Sequence, residues 1–129
     1  MNKVNPKDKI SQARQKLSVL NKERAKSIFS LIHGKPMVLG LPHYVYRRCG
    51  NKNCKCAKGH KHGPYLALSV NKDGGQKIVM VKKVDALTVR EESRRYKNYQ
   101  ETLAKIRRIN KEIDEILDEL KKITTRNYP

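Results

Sequence analysis

The apolar positions change period along the chain, and the changes mark its elements. Over residues 8–32, Ile10, Ala13, Leu17, Leu20, Ile28 and Leu31 recur at helical spacing and fall on one face. This predicts an amphipathic helix. Arg24 stands where an apolar step would fall and interrupts the stripe. Lys22 and Lys26 point away from it, and Lys9, Arg14 and Lys16 flank it. Gly34 and Pro36 stop the helix. Residues 1–7 read as a flexible basic lead.

The period then shortens. Tyr44, Val45 and Tyr46 favour a strand, and residues 65–70 favour a second. Residues 71–75 form a turn with glycines where positive φ is needed, and residues 76–82 a third strand. A sheet this small needs a helix or a metal loop against one face. Over residues 85–123 the helical period returns. With Tyr96 as position a of a heptad, the a positions are Tyr96, Leu103, Asn110, Leu117 and Thr124. The d positions are Tyr99, Ile106, Ile113 and Leu120. Ile109, Ile116 and Ile123 widen the stripe on one side. Two packings fit: a homodimer through this C-terminal helix, or folding against the first helix. Asn110 at an a position is the residue type that fixes register in a parallel dimer.

The expected fold is α+β. A three-stranded antiparallel sheet carries a metal loop and is flanked by an N-terminal amphipathic helix and a long coiled-coil-like helix. The segments are 1–36, 37–84 and 85–129.

Between the first two strands the chain has no apolar run. It reads Cys49-Gly-Asn-Lys-Asn-Cys-Lys-Cys-Ala-Lys-Gly-His-Lys-His-Gly-Pro-Tyr65 and holds all 3 cysteines and two of the 4 histidines. Such a segment cannot bury enough surface to order itself, so something else must hold it. Three thiolates and an imidazole would complete a tetrahedral zinc site whose binding supplies folding energy. The ligands by spacing are Cys49, Cys54, Cys56 and His62, in a Cys-x4-Cys-x-Cys-x5-His pattern, with His60 competing for the fourth place. Lys52, Lys55, Lys58 and Lys61 offset the charge of three thiolates. No acidic residue lies between Glu23 and Asp73. A catalytic metal would need a general base, so the site reads as structural and the protein as a non-enzyme.

Composition narrows the partners. Of 129 residues, 37% are hydrophobic and 5% aromatic, with no tryptophan, which limits the core. The 30 basic and 12 acidic side chains give a formal charge of +18, which favours polyanionic partners. Residues 1–62 hold 15 of the basic and 2 of the acidic side chains. The expected nucleic-acid contacts are Arg47, Arg48, Lys52, Lys55, Lys58, His60 and Lys61, with Tyr44, Tyr46 and Tyr65 interleaved as stacking or core residues. No apolar run reaches membrane-span length, and residues 1–30 have no signal-like apolar core. With clustered cysteines, this points to a reduced, cytoplasmic protein.

The motif Cys49-Gly50-x3-Cys54-x-Cys56-Ala57-x-Gly59-x2-His62-Gly63-Pro64-Tyr65, followed by a glycine-turn hairpin and a long helix with Asn98-Tyr99, resembles a family of small uncharacterised prokaryotic proteins. Its members are often encoded in mobile-element or transposase surroundings. The resemblance implies that His62, not His60, is the fourth position of the pattern. It also implies a preference for DNA over RNA and a protein partner such as a transposase or nuclease. The expectation is a zinc-stabilised, nucleic-acid-binding accessory protein linked to mobile-element activity. The alternatives are an RNA- or ribonucleoprotein-binding protein, and a helical adaptor that recruits a partner enzyme.

Overall fold

The structure is a computed structural model that describes residues 5–129, with only the backbone of Cys56 and Ala57. Two helices and a three-stranded antiparallel sheet make an α+β fold. The chain forms two compact units, residues 35–98 and residues 1–34 with 99–129.

The first helix, α1, spans Pro6–Ser30. It begins inside the stretch expected to be a flexible lead, of which residues 1–4 lie outside the described residues. Asn5 caps it: its Oδ1 accepts from the Lys7 N–H at 3.1 Å, and Pro6 takes the first helical position, where no N–H is needed. The helix ends two residues earlier than expected, with the Leu31 N–H donating to the Ile28 carbonyl at 3.0 Å. The second helix, α2, spans Ala86–Thr124, and its part from Tyr99 onward shares the helical unit with α1.

In this unit the two helices pair with each other. Arg24 Nη1 donates to Asn110 Oδ1 at 3.0 Å, and Lys105 Nζ lies 3.2 Å from Glu23 Oε1. The ion pair is open to solvent and contributes little. The inward stripe of α1 differs from the expected one by one residue. Ser27 is buried (7% exposed) and Ile28 is not (44%). Ile10, Ala13, Leu17, Leu20, Arg24, Ser27 and Leu31 therefore follow a strict three-four alternation. On α2 the phase also moves. Ile109 is fully buried and Ile116 and Ile123 are half-buried, whereas Leu117 and Asn110 are exposed. The isoleucines expected to widen the stripe form its centre, together with the d positions.

In the other unit the strands are β1 (Leu41–Arg47), β2 (His62–Lys72) and β3 (Gly75–Met80), in that order across the sheet. β1 starts three residues before the expected strand and includes Pro42, which an edge strand tolerates. β3 stops at Met80 rather than residue 82. The β2–β3 hairpin closes on Lys72↔Gly75, with Asp73 (φ 52°) and Gly74 (φ 78°) in the left-handed region of a type I′ turn. Leu66, Ala67 and Leu68 of the central strand are buried. The first turns of α2 belong to this unit, so it extends past the segment boundary read at residue 84. Residues 36–40 run along them: the Val38 N–H donates to the Glu92 carbonyl at 3.2 Å, Ser93 Oγ to the Gly40 carbonyl at 3.0 Å, and Arg95 Nη1 to the Pro36 carbonyl at 3.0 Å. No helix among the described residues is long and apolar enough to cross a membrane.

Candidate metal centre

The centre is built where β1 and β2 part. Their ladder runs from Leu41↔Ser69 to Val45↔Tyr65, then slips, and closes on Arg47↔His62. One residue of β1, Tyr46, thus stands opposite two of β2, which is a β-bulge at Gly63 and Pro64. Only glycine fits there. At φ 142°, a Cβ on Gly63 would stand 2.8 Å from Tyr46 Cδ1 and 2.9 Å from the Val45 carbonyl oxygen. The bulge sets the position of His62, the first residue of β2.

The loop over residues 48–61 returns to that histidine. Asn51 folds its start: its Oδ1 accepts from the Asn53 N–H at 3.0 Å, and its carbonyl accepts from the Cys54 N–H at 3.2 Å. A short 3-10 turn follows at Lys55–Lys58. Cys54 Sγ then lies 3.0 Å from His62 Nε2. Cys49 Sγ joins them, and the three ligand atoms lie within 4.8 Å of one another. Cys49 is exposed, while Cys54 and His62 are half-buried. Such a group can hold a metal ion: donors about 2.0–2.3 Å from one ion stand roughly 3–4 Å apart in a tetrahedron.

Of the expected ligands, Cys49, Cys54 and His62 come together. His60 is exposed and outside the group. The side chain of the remaining expected ligand, Cys56, lies outside what the structure describes. No described carboxylate joins the group. The seven expected nucleic-acid contacts, Arg47, Arg48, Lys52, Lys55, Lys58, His60 and Lys61, are all exposed. Of the interleaved tyrosines, none is core: Tyr44, Tyr46 and Tyr65 are all exposed.

A fold with two helices, a three-stranded antiparallel sheet and a Cys-Cys-His group at the mouth of its first hairpin defines a small α+β protein with a loop that could hold a metal ion. The chain belongs to the family described as a domain of unknown function (DUF6788), which matches residues 9–95. The match takes in most of α1, the whole sheet, the loop and the first turns of α2. No curated protein and no solved structure matches.

Proposed function

We propose that this protein is a zinc-stabilised nucleic-acid-binding accessory protein, with zinc held by Cys49, Cys54, Cys56 and His62. Thiolates with an imidazole suit zinc over magnesium or calcium. Cys56 is the remaining thiol of the same loop, two residues beyond Cys54. The metal would hold a loop that has no apolar run to bury. A structural role suits a group that no described carboxylate joins, since a hydrolytic zinc needs a general base.

One observation carries the nucleic-acid reading. Seven basic or imidazole side chains project into solvent around the metal group, in a stretch with no acidic residue from Glu23 to Asp73. The unit over residues 35–98 holds 15 basic and 4 acidic side chains. Such a surface attracts phosphates and releases counterions on binding. The preference for DNA, and for a transposase or nuclease as protein partner, rests on the resemblance to proteins encoded in mobile-element surroundings. Leu117, exposed beside the α1-facing stripe, is where a second copy would pack through α2.

Metal analysis of freshly reduced protein tests the site, with a single zinc per chain expected. Anisotropy titrations of labelled duplex DNA, single-stranded DNA and structured RNA, from about 50 to about 200 mM salt, test the function, which falls only if none of them binds in a salt-dependent way. Binding should weaken by orders of magnitude over that range, and more tightly bound DNA than RNA is expected. Protein without zinc removes the site. Salt-independent or absent binding of all three removes the function.

A further inference from the structure

We infer that Tyr44 and Tyr46 form a base-stacking platform, so that the nucleic acid this protein recognises is single-stranded. The inference deepens the reading above and rests on it. Both tyrosines lie on β1, two residues apart, and therefore on one face of the sheet. They are 53% and 57% exposed, although a buried tyrosine ring is worth far more to a protein with so few aromatics. Side chains two apart on a strand stand about 6.7 Å from one another, close to twice the 3.4 Å rise of stacked bases. One base against each ring is therefore sterically natural.

The surroundings fit that occupant. The Arg90 guanidinium sits 5.8 Å from the Tyr44 ring centroid, a cation over an aromatic face. Tyr46 lies against Gly63, at the foot of the metal loop. Arg47 and Arg48 follow it directly and are exposed. The rings thus run into the basic surface, the pairing of stacking groups with a cationic track that single strands require. In an intact duplex the base faces are already stacked and offer nothing to these rings. Tyr65 gives an internal control. It is 44% exposed but pairs with Val45, and so lies on the opposite face.

The test uses the full, zinc-loaded chain with a labelled twelve-nucleotide oligo-dT, the matching oligo-U and a duplex of the same length. Tyr44→Ala and Tyr46→Ala should each weaken oligo-dT binding by roughly 5- to 100-fold. Tyr44→Phe and Tyr46→Phe should stay within about twofold of wild type, because a phenyl ring stacks as well. Tyr65→Ala should leave binding unchanged, and the duplex should respond to none of the five variants. With no tryptophan in the chain, tyrosine emission is directly readable, and oligo-dT should quench it less in the alanine variants. Oligo-U losing affinity in parallel supports stacking on any single strand; oligo-U unaffected while oligo-dT weakens confines the platform to DNA. Oligo-dT binding that survives both alanine substitutions overturns the platform and leaves the basic-surface reading standing. Equal losses in Tyr65→Ala, or in the phenylalanine variants, also overturn it. If wild type binds no probe at all, the function proposed above fails first.

Discussion

Arg24 of α1 and Asn110 of α2 are bonded to each other, Nη1 to Oδ1 at 3.0 Å, while Arg24 Nη2 holds Asn21 Oδ1 at 2.9 Å. The residue that breaks the apolar stripe of one helix is thus matched to the polar residue in the heptads of the other. The bond lies at the solvent-exposed edge of the seam, next to the buried Ile109, where a hydrogen bond contributes little to stability. Arg24→Leu would continue the line of Leu17, Leu20 and Leu31. It should raise stability by about 1 kcal/mol, roughly 3–5 °C in the thermal midpoint. Asn110→Ala should lower it by up to about 1 kcal/mol. Urea unfolding of both single variants and the double variant gives the coupling. A destabilised Arg24→Leu would mean that the pair outweighs the stripe.

Gly63 carries the bulge that aims His62. A side chain there meets the Val45 carbonyl oxygen at 2.9 Å, which is backbone and cannot swing aside, in a conformation that L-residues rarely adopt. Gly63→Ala should therefore cost at least about 2 kcal/mol. It should also weaken metal binding, because the displaced residue adjoins His62. Gly50 lies in the same loop with nothing within 4 Å of a Cβ and no positive φ. Gly50→Ala should be neutral within about 0.5 kcal/mol. Chemical denaturation and competitive zinc titration check both, and equal behaviour of the two variants would contradict the bulge argument.

The two imidazoles of the loop should behave differently. His62→Ala removes a group 3.0 Å from Cys54 Sγ, whereas His60→Ala removes an exposed ring outside the cluster. Zinc stoichiometry should fall well below one per chain in the first and stay unchanged in the second. A chelator should lower the thermal midpoint of wild type and of His60→Ala, and have little further effect on His62→Ala. Loss of zinc in His60→Ala with retention in His62→Ala would exchange their roles.

Why these points were or were not visible in the sequence follows from where each is decided. The Asp-Gly turn at Asp73 and Gly74, the long second helix and the clustering of thiols with an imidazole are local, and period or spacing shows them. The start of α1 was also local. Asn5 followed by Pro6 is a cap signature, and the basic flanks masked it. Ser27 in place of Ile28, and the phase of α2, were not local. A helix whose apolar face is broad can turn any part of it inward, and the partner helix decides which. The choice of His62 over His60 rests on a sheet register, Arg47↔His62, that spacing alone does not contain. Pro42 hid the start of β1, since its place in a strand depends on β1 being an edge.

Salt dependence should trace the phosphate contacts to the metal loop. Lys55 and Lys58 sit at the ends of its short 3-10 turn and are exposed. If each neutralises one phosphate of a single strand, replacing both with glutamine should flatten the plot of log affinity against log salt by about 1.4, and weaken binding most at low salt. Lys121 and Lys122 make the control. They lie in the last turn of α2, just beyond the acidic residues Glu112, Asp114, Glu115, Asp118 and Glu119, which repel phosphate. Their replacement should leave the slope unchanged. Both pairs remove the same formal charge, so a general effect of net charge would move the two slopes equally. A slope that shifts only with Lys55 and Lys58 assigns the contacts to the loop. A shift only with Lys121 and Lys122 would move the binding surface to the far end of α2 and detach it from the metal centre.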